Sequence, residues 1–184
     1  MTYHHGDLRR ALLAAAVEAI EQDGPAALSL RSLARRAGVS HAAPAHHFGD
    51  KAGLLTVLAA EGYDLLADAV SAAGDEIVEA GVAYVRFAVE HRAHFEVMFQ
   101  PGLYHRDDPE LVAASGRADQ SLKDALAALP DPPAAEESLA TRLAAWSIVH
   151  GFAGLWLSGA LPAGLDDDPG TAARTVISRL FAPS

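Results

Sequence analysis

The chain has 184 residues, 51% of them apolar, which is enough to bury a core without cross-links, and no cysteine, which excludes disulfide frameworks, cysteine-ligated zinc and thiol nucleophiles. Its net charge of −10 is uneven: residues 1–51 hold six Lys/Arg against five acids and five of the nine histidines, whereas residues 52–184 carry −11. A neutral-to-basic head on an acidic body suits a protein that meets phosphates with one end only, and the absence of cysteine fits a reducing cytoplasm.

The opening residues, Met1 to Asp7, are polar and lack the apolar stretch of a secretory signal. Leu8, Leu12, Leu13, Ala16, Val17 and Ile20 then recur at helical spacing and form one apolar face, with Asp7 as cap. Gly24-Pro25 ends this helix, because glycine suits a helix exit and proline cannot continue it. Ser29 is an N-cap for a short second helix, and Leu28 and Leu33 have the spacing of a hydrophobic staple. Gly38 stops that helix. Ser40 is placed to cap a third helix of about two turns, with Pro44 in its first turns and His47-Phe48 at its end. After the break at Gly49, Asp50 caps a long fourth helix with Leu54, Leu55, Leu58, Leu65 and Leu66 on its buried side.

Further helices are expected from Asp75 to about His91 and from His94 to Phe99, followed by a loop from Pro101 to Asp108. Asp108-Pro109 opens a helix to about Leu129, Pro130 to Pro133 is a linker, and a long helix runs from about Ala134 to Leu161. Asp168-Pro169 opens a last helix ending near Phe181. No run alternates as a strand, so the fold class is all-α, with about nine helices. Leu143 to Leu161 carries no formal charge and approaches the ~20 residues that span a bilayer. Its His150, Ser147, Ser158 and three glycines, without a flanking basic cluster, make it a buried helix of a soluble protein.

The segment from Leu28 to Leu55, LSLRSLARRAGVSHAAPAHHFGDKAGLL, sets two short helices around a tight glycine turn, braced by the longer first helix. Physically this is a helix-turn-helix, whose second short helix enters the DNA major groove. The segment resembles the tetracycline-repressor (TetR) family of regulators: Leu28 to Ala34 is similar to the family's second helix, Ala37-Gly38-Val39-Ser40 to its turn, and His47-Phe48, Asp50-Lys51 and Leu54-Leu55 to the junction of its third and fourth helices. The resemblance covers residues 8 to about 66. Trp146-Ser-Ile-Val-His150-Gly151, with His94 to Phe99, resembles the Trp-His-Gly type of C-terminal domain found in part of the family.

What the resemblance implies is a head over 1–52 that binds DNA and a body over 53–184 that binds an effector and dimerises. It implies DNA contacts from Ser29 and Arg31 at the start of the second helix, from Ser40, His41, Ala42, Ala43, Ala45 and His46 on the recognition helix, and from His47 and Lys51 as phosphate clamps. Phe48 is the expected plug of the head's core. The chain departs from the family at Ala45, where a tyrosine usually packs on the DNA backbone. Base discrimination then leans on His41, His46, Arg31 and apolar contacts to thymine methyls. Arg9 and Arg10 are plausible backbone contacts, and Arg35 and Arg36 are either contacts or solvated.

In the body, Phe87, Phe95, Met98, Phe99, Tyr104, Trp146 and His150 are candidates to line an apolar effector cavity, with ordinary core packing as the alternative for each. His150 must find a partner in either case. The helix around Trp146 is apolar nearly all round, so it needs cover on more than one side. Ser147, Gly151, Gly154 and Ser158, with Val176 and Leu180 of the last helix, are the expected contact in a four-helix homodimer. A two-fold dimer presents two heads, so its target is a near-palindromic duplex.

His41, His46 and His47 lack the i, i+4 spacing of a helical metal site. No phosphate loop, nucleophile elbow or zincin motif is present, and Glu136-Glu137 and Asp166 to Asp168 read as helix-start and loop charges. The expectation is therefore a cytoplasmic DNA-binding regulator, a repressor released by a small-molecule effector, with no catalysis, cofactor, metal or membrane span. The alternative is a ligand-binding or interaction protein whose helix-turn-helix has lost its affinity for DNA.

Overall fold

The computed structural model describes residues 5–129 and 138–181; the side chains of 5–7, 138, 180 and 181 lie outside the described set. The linker at 130–133, the helix start at Ala134 and the side chain of Leu180 are therefore outside the described residues. Asp7 is not a cap: the first helix already begins at His5, two residues before it. Among the described residues there are nine helices: α1 (His5–Ala27), α2 (Leu30–Arg36), α3 (Ala43–Phe48), α4 (Lys51–Ala72), α5 (Ile77–Glu90), α6 (Arg92–Met98), α7 (Pro109–Ala127), α8 (Ser138–Leu157) and α9 (Pro169–Phe181). They contain no strand, and no helix is long and apolar enough to cross a membrane.

The helix starts follow from local chemistry. The Ser29 hydroxyl accepts the Ser32 N–H at 3.2 Å, and Asp50 Oδ1 accepts the Gly53 N–H at 2.7 Å. Asp108 Oδ1 accepts the N–H groups of Glu110 and Leu111 at 3.0 and 3.2 Å, and Asp168 Oδ2 accepts the Thr171 N–H at 2.8 Å. Each oxygen satisfies donors that the first turn leaves free. α1 breaks at Gly24, whose φ of 76° and ψ of 163° lie outside the helical region, so only the short turn Pro25–Ala27 continues beyond it.

One start differs from expectation. Ser40 does not cap α3: residues 41 and 42 form a turn, Ala42 is the cap residue without a side-chain bond, and Ser40 contributes only its carbonyl, to the Ala43 N–H at 3.0 Å. The reason is Pro44. It has no N–H to give an interior turn, so the helix begins at Ala43, where proline falls among positions whose N–H is unpaired in any case. The boundaries of the body helices also shift by one to four residues. α8 stops at Leu157 because Gly159 takes a φ of 68° and the Ala160 N–H closes back on the Leu155 carbonyl at 3.0 Å.

The described residues form two compact units, those within 1–62 and 91–113 and those within 63–90 and 114–184. The first is built on Leu12, Leu13, Ala16 and Ile20 of α1, Leu28, Leu33 and Ala34, Pro44 and Phe48 of α3, and Leu54, Leu55 and Leu58 of α4, all buried. α6 adds Ala93, Phe95, Val97 and Met98 and packs against α1. It also lies close to α4 at Gly62, where a Cβ would stand 2.5 Å from Met98 Sδ and 3.0 Å from His94 Cβ. Glycine is therefore required there for the approach of the two helices.

In the second unit α5 packs against both α8 and α9 through Val82, Tyr84, Val85, Phe87 and Ala88, with Ala172, Ala173 and Ile177 on α9. α8 buries Ala145, Phe152 and Ala153, yet its Leu139, Leu143, Trp146 and Leu155 stay 56%, 46%, 37% and 47% exposed. An apolar helix with half its surface uncovered is the main departure of this unit from a water-facing exterior.

Candidate nucleic-acid interface

The head displays the helix-turn-helix side chains on a surface held from behind by core. Ser29, Arg31, Ser40, His41, Ala42, Ala45 and His46 are exposed; Ala43, His47 and Lys51 are half-buried. Beneath them Leu33, Pro44 and Phe48 are buried, so α3 cannot rotate its polar side inward without exposing its anchors. Phe48 is the core plug its position implied, and the Arg9 guanidinium lies 5.6 Å from its ring centroid, a cation–π distance. His46 and His47 meet edge to face at 5.6 Å between ring centres.

Several of these groups already have partners within the head. Ser29 spends its hydroxyl on the α2 cap and on Ser32 Oγ at 2.9 Å. Arg36 donates to Gln22 Oε1 of α1. The Lys51 ammonium donates to the Ala26 carbonyl at 2.8 Å, which ties the start of α4 to the end of α1. Asp50 caps α4 and stands 3.5 Å from His105 Nε2, and the Gly53 N–H it accepts, above all, holds its carboxyl below the ordinary aspartate range. The His105 backbone N–H donates to Thr56 Oγ1 at 3.0 Å. Gln22, Ala26, Thr56 and His105 carried no signal in the sequence, because nothing local links them to their partners.

A cleft of about 310 Å³ in this unit is lined by His47, Phe48, Asp50, Gly53, Thr56, Val57, Ala60, His105, Asp108 and Glu110, among others. None of the seven effector candidates lines it. Of those seven, Phe95, Met98, Phe99 and Tyr104 belong to the first unit and Phe87, Trp146 and His150 to the second. Phe95 and Phe99 meet edge to face at 5.1 Å, and the Tyr104 hydroxyl donates to the Met98 carbonyl at 2.8 Å.

In the second unit His150 finds the partner it needs. The Trp146 Nε1–H donates to the Tyr84 hydroxyl oxygen at 3.2 Å, and that hydroxyl lies 2.9 Å from His150 Nδ1. Burial pushes the Tyr84 hydroxyl well above its ordinary pKa and pulls His150 below its own, both shifts favouring the neutral form. Tyr84 was not anticipated as a polar partner. Ser147, Gly151 and Gly154 are exposed along one stripe of α8 with Leu139 and Leu143, Ser158 is exposed just beyond its end, and Val176 is half-buried. A Cβ at Gly151 or Gly154 would meet nothing within 4 Å. Among the described residues no group of three or more His, Cys, Asp or Glu could hold a metal ion.

Comparison with known proteins gives a consistent picture. Residues 12–58 match the family described as bacterial regulatory proteins, tetR family, and residues 77–180 match the tetracyclin repressor-like C-terminal domain. A search of curated proteins finds no match. Among solved structures, a protein of unknown function from Rhodococcus sp. RHA1 is 33% identical over 98% of this chain and 96% of its own, with a TM-score of 0.75. The TetR family transcriptional regulator PfmR from Thermus thermophilus is 20% identical, covers 92% of this chain and 96% of its own, and gives 0.67. The TetR-like regulator LfrR from Mycobacterium smegmatis, in complex with proflavine, is 21% identical, covers 95% of this chain and 96% of its own, and gives 0.66. The last two likenesses speak to the fold alone.

Proposed function

Because the chain belongs to the TetR family of bacterial transcriptional regulators, we propose that it is a dimeric repressor, released from a near-palindromic operator by a small organic effector. The observation that carries this reading is the contrast on α3 and the turn before it: His41 in the turn and Ala45 and His46 on the helix face solvent, while Pro44 and Phe48 anchor the helix from behind. Ser29, Arg31, Ser40, His41, Ala42, Ala43, Ala45, His46, His47 and Lys51 are the proposed DNA contacts. The clamps position the head on phosphates, and His41, His46 and Arg31 read base edges. The proposed division is one of role, with DNA binding in 1–52 and effector binding and dimerisation in 53–184.

Phe87, Phe95, Met98, Phe99, Tyr104, Trp146 and His150 are the proposed effector contacts; LfrR with bound proflavine is the precedent on this fold for a small-molecule ligand. The uncovered stripe of α8 supports a dimer through Ser147, Gly151, Gly154 and Ser158, with Val176 and Leu180 of α9. The effector acts by population shift: it binds better to a body conformation whose two heads no longer fit successive major grooves, and its leverage equals its differential affinity for the two states. α4, which contributes residues to both compact units, is the proposed lever. The protein acts in the cytoplasm and performs no chemistry on DNA or effector.

A salt titration of duplex binding tests the core of this reading. Phosphate contacts make affinity fall steeply with salt, with a slope of about 0.9 per neutralised phosphate. A purified protein that binds no duplex at any salt concentration, with or without candidate effectors, would refute it.

A further inference from the structure

We infer that His94 is the polar anchor of the effector site and that the effector brings it a hydrogen-bond donor, a hydroxyl or an amine or amide N–H, on an otherwise apolar frame. This rests on the proposed reading of the body as effector-responsive.

The His94 side chain is only 11% exposed, and its Nδ1 is the one buried side-chain nitrogen or oxygen among the described residues without a hydrogen-bond partner. The other buried polar side chains are satisfied. Thr56 Oγ1 donates to the Ala52 carbonyl and accepts from His105, and Ser121 Oγ donates to the Ala118 carbonyl. A partnerless buried polar atom is disfavoured in a folded chain, and an apolar side chain of similar shape removes the penalty. Its presence therefore points to a partner that arrives from outside the chain.

The chemistry of that partner follows from the far side of the ring. His94 Nε2 lies 3.8 Å from Glu61 Oε2 of α4. A carboxylate can only accept, so the imidazole proton is best placed on Nε2, and Nδ1 is left as a bare lone pair. What a bare lone pair lacks is a donor. Beside it, the His91 ring stands edge-on at 5.9 Å and Met98 closes over Gly62 next to His94 Cβ, while Phe95 of α6 and Phe99 just beyond its end pair their rings at 5.1 Å. The site thus matches a small aromatic or aliphatic molecule with one hydroxyl or N–H.

The same placement couples binding to the head. α6 rests on α4 at Gly62, where His94 Cβ and Met98 close over the glycine. Nδ1 is itself buried, so a ligand that reaches it must shift the groups packed over it, Met98 and the α4–α6 contact at Gly62 among them. α4 begins at Lys51, directly after the recognition helix and its Gly49-Asp50 break.

The test uses matched pairs of probes that differ only in the donor: phenol and anisole, indole and 1-methylindole, 1-naphthol and 1-methoxynaphthalene. Each is titrated into the full chain by calorimetry. In at least one pair the donor member is expected to bind about tenfold or more tightly, and His94→Leu is expected to abolish the preference. Because an orphan is removed, His94→Leu is also expected to melt no lower than the wild type. Should it fail to fold, His94→Gln keeps an acceptor and is expected to retain the preference. Absence of a donor preference in every pair, or its persistence in His94→Leu, overturns the proposal. Loss of the DNA-binding reading shows separately, as a wild type that binds no duplex, and leaves the outcome of the paired titrations standing.

Discussion

Lys51 Nζ hydrogen-bonds to the backbone carbonyl of Ala26 at 2.8 Å, so the ammonium proposed to meet a DNA phosphate is held by the last turn of α1 before any phosphate arrives. Two further N–H donors of the ammonium remain for a phosphate. Lys51→Ala is expected to reduce the salt slope of duplex binding by about one phosphate equivalent, near 0.9, and to lower stability by about 1 kcal/mol. Lys51→Arg retains the slope. Binding isotherms at several salt concentrations, with denaturant melts of the same samples, separate the two effects. An unchanged slope in Lys51→Ala would remove Lys51 from the interface.

Ser29 has two tasks that can be pulled apart. Ser29→Ala loses the α2 cap and is expected to cost about 1 kcal/mol in chemical denaturation. Ser29→Asp restores a capping oxygen but sets a carboxylate against the DNA backbone, so it is expected to recover stability and weaken duplex binding. If the aspartate variant binds as tightly as the wild type, Ser29 lies off the interface.

The Trp146–Tyr84–His150 chain gives a pH prediction. Tyr84→Phe strips Trp146 and His150 of their shared oxygen and is expected to cost about 1–3 kcal/mol. Burial lowers the His150 pKa, so the unfolded chain takes up this proton first as pH falls. The stability due to His150 is thus whole above its unfolded pKa of about 6.5 and lost below it as pH drops toward the lowered folded value. Thermal melts between pH 7.5 and 5 should fall more steeply for the wild type than for His150→Gln, and parallel curves would remove His150 as a source of the slope.

Gly151 discriminates between one chain and two. A side chain added there meets open space within the chain, so Gly151→Leu is expected to leave the monomer's fold intact. On a helix stripe that seats a second copy, the same leucine blocks close approach. Sedimentation should show a dimeric wild type and a weakened dimer in Gly151→Leu, with affinity for a palindromic duplex reduced and for a half-site retained. A variant that dimerises as well as the wild type would move the interface off this stripe.

The helix number, the caps at Ser29, Asp50, Asp108 and Asp168 and the buried Phe48 were legible in the order of residues alone, because caps and apolar periodicity act over three or four positions. Ser40 was misread even at that range: Pro44, four positions on, moved the helix start to Ala43. The Lys51–Ala26 tie, the Tyr84–His150 pair and the stranded Nδ1 of His94 were invisible, since each depends on helices that the fold brings together from distant parts of the chain. The residue order by itself determined which segments are helical, their ends to within a few residues, and which faces are apolar, since those preferences are local. Only the tertiary structure decided which polar atoms meet, because a hydrogen bond is a matter of a few tenths of an ångström, set by packing and not by spacing along the chain.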